Sequence, residues 1–268
     1  MASAPTPNLP LFYNDLMPLN LRDHENWRSR TVEEANWLVH QHAVPVTVDE
    51  FTLAQRHFPI IFSGSDNPVP LALFGLNEGV NVYVDEKGKL IENIYLPAYI
   101  RRYPFILARL DSENDTMSLC FDPSAGILGE FDEGPAIFEE GQPSPFTQEV
   151  MQFCERFEQA GQRTQTFVDE LIKHELLMDG EVAIQRHDAE PDEQPYVYRG
   201  FKMINQDKLR ELRGDLLRTW NQNGMLNLIF AQILSLDMLR VIFGAQTAQG
   251  KGPGAEAAAK AAAAAPAN

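Results

Sequence analysis

Residues 95–105 read Tyr95-Leu96-Pro97-Ala98-Tyr99-Ile100-Arg101-Arg102-Tyr103-Pro104-Phe105. Pro97 suits the first turn of a helix, where its fixed φ is already correct and its missing N–H is not needed. The segment therefore predicts one short helix over residues 97–103. N-terminal to it, short apolar runs bounded by turn residues predict strands at 59–62, 69–74, 80–84 and 90–95. Asp85-Glu86-Lys87-Gly88 supplies a hairpin turn between the last two. C-terminal to it, residues 105–110 and 116–121 predict two more strands around the polar loop 111–115.

Farther out the period changes. Val150, Phe153, Cys154 and Phe157, then Phe167, Val168, Leu171 and Ile172, recur at three and four, which predicts helix from Phe146 onward with a division near Gly161. Residues 181–186 and 196–204 return to strand patterning. Asn205 or Asp207 caps a helix over 208–220, Asn223-Gly224 ends it, and 225–243 forms the last helix. Upstream, Asp49 is the expected N-cap of a helix over 50–57 that stops before Pro59. Residues 31–41 fit helix and strand equally. The expected fold class is α+β, with a strand-rich N-terminal part packed with a helical C-terminal part. A flexible N-terminus (1–10), one domain (11–244) and a disordered Ala/Gly-rich tail (245–268) complete the organisation.

Charge narrows the partners. The 268 residues carry 22 basic and 38 acidic side chains, a formal net charge of −16. Such a field repels nucleic-acid phosphates. The nearest basic groupings, Arg101, Arg102 and Arg109, or Lys208, Arg210, Arg213 and Arg218, are small and have acidic neighbours. No nucleic acid is expected as partner. From 110 to 155 there is no Lys or Arg but eleven acidic residues, a cation-binding face or a solvated surface. The N-terminus lacks a basic, apolar leader, so a cytoplasmic location is expected, with signal-less surface export as the other route. Residues 225–243 are apolar but interrupted by Asn227, Gln232, Ser235, Asp237 and Arg240. Burying such an Asp or Arg in lipid costs about 3 kcal/mol, so a core helix is expected and no transmembrane segment.

Few residues pattern as chemistry. Cys120 and Cys154 sit in no pairing motif, and Cys154 reads as a buried thiol. His40, His42 and Glu50 are a weak candidate metal set, because i and i+2 on a strand share a face. His174-Glu175 begins a zinc-helix motif, but Met178 stands where the second histidine belongs. Asp111 to Asp122 has the length of a calcium loop, yet Thr116 replaces its glycine. Ser124 lacks the glycine that leads a nucleophile elbow. No cofactor is indicated. The ligand-binding candidates are Tyr99, Arg101, Arg102 and Tyr103. Guanidinium forks suit a carboxylate or another small anion. Internal pairing of the arginines and core packing of the tyrosines is the competing reading.

Residues 95–105, with Phe58-Pro59-Ile60-Ile61-Phe62 and Gly75-Leu76-Asn77-Glu78-Gly79-Val80-Asn81 before them, resemble the SapC family. Residues 200–209, 223–226 and 231–235 extend the resemblance, which spans about 10–243. It implies association with a bacterial paracrystalline surface layer and an accessory role, carrying over no catalytic residue. The expected function is a non-enzymatic interaction or accessory protein that meets a protein partner or a small anionic ligand, as an oligomer in one version. The alternative is a metal- or small-ligand-dependent enzyme, or an accessory to an oxidoreductase such as a flavin-dependent halogenase. It would use His40, His42, Glu50 or the arginine pair.

Overall fold

The computed structural model describes residues 9–32, 34–91, 93–109, 117–184 and 195–252. Its longer elements, in chain order, are β1 (Ala43–Pro45), β2 (Ile60–Ser63), β3 (Pro70–Leu73), α1 (Ala98–Arg102), β4 (Phe105–Arg109), β5 (Met117–Phe121), α2 (Pro145–Lys173), β6 (Leu177–Ile184), β7 (Tyr196–Ile204), α3 (Gln206–Arg210), α4 (Gly214–Gln222), α5 (Met225–Ser235) and α6 (Met238–Ala248). The α+β class holds. The chain divides into two compact units, Met1–Glu33 with Ala98–Gln159, and Glu34–Pro97 with Ala160–Asn268.

In the first unit, β4 and β5 pair antiparallel with Phe105 opposite Phe121 and Leu107 opposite Leu119. Met17–Pro18 adds to the free side of β5. Phe121, Ile137 and Cys154 form the centre of a buried cluster, against which Trp27, Phe146 and Val150 pack. The apolar stripe of α2 read from the sequence is what reaches this cluster. Pro145 opens α2, and the Ser144 hydroxyl accepts from the Thr147 N–H at 3.2 Å, satisfying one of the donors every helix start leaves open.

The expected division of α2 at Gly161 does not occur, and the helix runs unbroken for 29 residues. Gly161 is exposed with open space around its Cα. A lone interior glycine costs about 1 kcal/mol, too little to break a long helix held by its apolar face.

The second unit is built on a five-stranded antiparallel sheet in the order β6-β7-β2-β3-β1. The C-terminal strands thus complete a sheet begun by N-terminal ones. The expected hairpin between 80–84 and 90–95 shrinks to one bridge, Val84 to Leu90, around the Asp85 turn. Its backbone groups have other partners. The Asn81 amide donates to the Leu38 carbonyl and accepts from the Tyr83 N–H, both at 2.9 Å. Val82 N–H donates to the Phe74 carbonyl. The turn itself is as expected: Asp85 Oδ1 accepts from the N–H groups of Lys87 and Lys89. Gly88 there has φ of 79°, and a Cβ on it would fall on the Ala35 backbone.

The described part of the 31–41 stretch contains one short 3-10 turn, Asn36–Leu38. The predicted 208–220 helix is two helices, α3 capped by Asn205 and then α4. The last helix likewise breaks after Ser235, and α6 continues to Ala248, beyond the expected tail boundary at 245.

Two of the polar interruptions of this last segment, Gln232 and Ser235, face inward, whereas Asn227, Asp237 and Arg240 are exposed. Gln232, Ser235 and Gln246 are fully buried. The Ser235 hydroxyl accepts from the Ile60 N–H at 2.9 Å, and Gln232 Nε2 donates to the Ile60 carbonyl at 2.9 Å. Gln232 Oε1 accepts from the Ile204 N–H at 3.4 Å. The β2–β7 register places Ile60 opposite Ile204, just past the last paired residues. One side-chain amide therefore fills the next rung. By length and composition, Met225–Ala248 is apolar enough to cross a membrane.

Candidate functional site

The first unit contains a cavity of about 340 Å³ where α1, the start of β4 and the first half of α2 meet. Its size lies at the lower end of small-molecule sites. The apolar wall comes from Phe105, Phe146, Val150, Phe153 and Cys154, and the polar lining from Arg101, Arg102, Glu149 and Arg156. Helical geometry assembles most of it. Residues 146, 149, 153 and 156, and likewise 146, 150 and 153, are spaced at three and four, so all five share one face of α2.

The three arginines have different surroundings. Arg102 is buried, with 4% of its side chain exposed. Its guanidinium lies 4.3 Å from the Phe157 ring centre and 5.1 Å from that of Tyr99. Nη1 donates to Glu158 Oε1 at 3.3 Å, while Nε has no hydrogen-bond partner among the described residues. Arg101 is exposed at the rim, its guanidinium 5.2 Å from the Phe153 ring centre. Arg156 is exposed and has no carboxylate within ion-pair distance among the described residues.

The tyrosines of the candidate set do not line the cavity. The Tyr99 hydroxyl donates to the Leu11 carbonyl at 3.2 Å, and its ring packs edge-on to Phe12 and Phe157. Tyr103 donates to Asp122 Oδ2 at 3.3 Å. Burial, reinforced by the Asp122 charge, pushes the Tyr103 phenol up to about 12. Both hydroxyls stay protonated and brace the segment that carries Arg101 and Arg102. Burial likewise pushes the Cys154 thiol up to about 11, against the smaller opposing pull of Arg102. It is a neutral piece of wall at physiological pH and no thiolate nucleophile.

Sequence reasoning missed Arg156, Phe146 and Glu149. The signal was present in the α2 spacing, and Arg156 is the first basic residue after the acidic stretch.

The sequence profile of the SapC family matches residues 19–242. The chain belongs to the SapC family. No curated protein and no solved structure matches it. The membership agrees with the resemblance drawn from residues 95–105, and the cavity of this SapC chain is formed partly by that stretch.

His40, His42 and Glu50 do not come together as a metal set. No group of three or more His, Cys, Asp or Glu side chains among the described residues is placed to hold an ion. Glu50 has another role. Asp49 was the expected cap, but Thr47 and Glu50 form a reciprocal capping box. Glu50 Oε2 accepts from the Thr47 N–H and hydroxyl, and Oε1 accepts from the Tyr95 hydroxyl at 2.8 Å. Asp49 instead pairs with Arg163, whose Nε donates at 3.1 Å. His40 is exposed, its ring 3.4 Å from the Gly79 carbonyl. Glu50→Ala strands three donors and is expected to cost about 2 kcal/mol in urea unfolding. An unchanged midpoint would remove the structural role assigned to Glu50. The residues 111–116 of the calcium-loop candidate lie outside the described residues.

Proposed function

We propose that this SapC protein is a non-catalytic accessory protein that binds a small anion in the α1–α2 cavity, serving the bacterial surface layer as the family resemblance implies. The observation that carries this reading is the concentration of three arginines around one apolar cavity in a chain of net charge −16. A positive hollow in an acidic field draws small anions locally even though the whole molecule repels polyanions. Catalysis is the weaker reading, because no histidine, serine or threonine among the described residues lines the cavity and its cysteine is held neutral. A nucleophile with a neighbouring base is therefore not assembled there.

Thermal unfolding of the full chain with acetate, benzoate and phosphate, each against chloride at equal ionic strength, tests this. At ten times its dissociation constant, a binding anion raises Tm by about 3–5 °C. The Arg101→Ala/Arg156→Gln double variant is expected to lose that rise. If none of the three anions shifts Tm, or the double variant responds like the parent, the reading is wrong.

A further inference from the structure

We infer that the ligand of this cavity is a monocarboxylate with an apolar body, such as a medium-chain or aryl carboxylic acid. The inference rests on the anion-binding reading above and specifies its chemistry.

Charge sets the head group. Arg102 is already matched by Glu158 at 3.3 Å. Glu149 contributes a carboxylate to the lining itself. Arg156 is the cation without a carboxylate of its own among the described residues. Three guanidiniums against the carboxylates of Glu149 and Glu158 leave a net of one positive charge, which matches one negative charge. A dianionic phosphate would bring a second charge toward Glu149, which like-charge repulsion penalises. The planar guanidinium fork fits a carboxylate with two parallel hydrogen bonds.

The wall sets the body. Phe105, Phe146 and Phe153, with Val150 and the neutral Cys154, present carbon and sulfur with no hydroxyl or amide side chain to hydrogen-bond a polar body. Phe105 and Cys154 are themselves buried, so the wall is continuous with the core of this unit. Transfer of an alkyl or aryl group from water to such a surface is favourable, at about 0.8 kcal/mol for each methylene fully buried. A hydrophilic acid would leave that wall uncovered. A neutral alcohol of the same length would leave Arg156 unmatched.

The test is calorimetric titration of the full chain with octanoate, 1-octanol, octyl phosphate and acetate, repeated on Arg156→Gln and Phe153→Ala. Arg156 is exposed and carries no ion pair whose loss would unfold the chain. The expected result is saturable octanoate binding, at least tenfold tighter than acetate or 1-octanol, and weakened at least tenfold by each substitution. Octyl phosphate binding as tightly as octanoate overturns the carboxylate assignment but leaves an anion site. Acetate binding as tightly as octanoate overturns the apolar body in the same way. 1-Octanol binding as tightly as octanoate shows an apolar hole only and overturns both readings. Octanoate binding that is insensitive to Arg156→Gln places the head group elsewhere and overturns the inference. If no anion binds, the inference fails together with the anion-binding reading.

Discussion

Arg102→Ala is expected to destabilise the first unit by about 3 kcal/mol, and Arg102→Met by roughly 1 kcal/mol or less. The side chain is 96% buried and enters a cage formed by the rings of Tyr13, Tyr99 and Phe157. A desolvated guanidinium over an aromatic face gains about 2 kcal/mol, and its methylene stem fills space that alanine would leave empty. The ion pair adds less, because Glu158 is 43% exposed and solvent screens it. Against these gains stands the Nε donor without a partner, a cost of about 1–3 kcal/mol. Methionine keeps most of the volume and removes both the charge and the unmet donor. The alanine variant should therefore suffer and the methionine variant should not. Urea unfolding of both decides it. Equal losses would mean that the charge, not the packing, holds this part of the fold.

Phe58→Ala is expected to cost the second unit about 4 kcal/mol. Phe58 is fully buried. Its ring packs edge-on to Phe74 at 4.7 Å and to Tyr83 at 5.2 Å. Phe58 and Phe74 flank the paired strands β2 and β3, whereas the 80–84 run that carries Tyr83 joins no ladder and forms only a single bridge, to Leu90. Tyr83 adds a hydroxyl donated to the His57 carbonyl at 2.8 Å. Ring packing thus does the work that a hairpin does elsewhere, and truncation leaves a cavity lined by two large rigid rings that collapse poorly. Phe58→Leu retains most of the volume and should cost about 1.5 kcal/mol. Denaturant midpoints at unchanged m-value measure both. A loss below 1 kcal/mol for the alanine variant would sink this account.

The fold class was readable because its signals are local. The runs at 59–62, 69–74, 105–110 and 196–204 carry their own apolar pattern and turn residues, and strands stand at Ile60–Ser63, Pro70–Leu73, Phe105–Arg109 and Tyr196–Ile204. Failures occurred where a distant group captures the backbone. Asn81 draws its own segment out of a ladder by bonding to Leu38, 43 residues away. Thr47 won the cap from Asp49 because Glu50 could reach back to it, while Asp49 found Arg163 on α2. Gly161 was overweighted, since backbone entropy is small beside the burial of a 29-residue face. Of the nine residues that line the cavity, two stand in the candidate set read from the sequence. Arg101 and Arg102 line the cavity, but the roles of Tyr99 and Tyr103 depend on Leu11 and Asp122, partners no spacing rule connects to them. Arg156 was hidden because a helix face becomes a cavity wall only when its partner surface is known.

The Gln232 amide between β2 and β7 has a consequence for which sequences this position tolerates. Its nitrogen gives to Ile60 and its oxygen takes from Ile204, so it imitates a peptide group borrowed from another element. A carboxylate there would turn an acceptor toward an acceptor, an aliphatic chain would satisfy neither side, and asparagine is one methylene short. With Ser235 holding the remaining Ile60 group, α5 works as a key cut for one alignment of the two strands. Sliding either strand by a residue would present the wrong atoms to the key. What looked like flaws in a greasy helix are the teeth that fit it to the sheet.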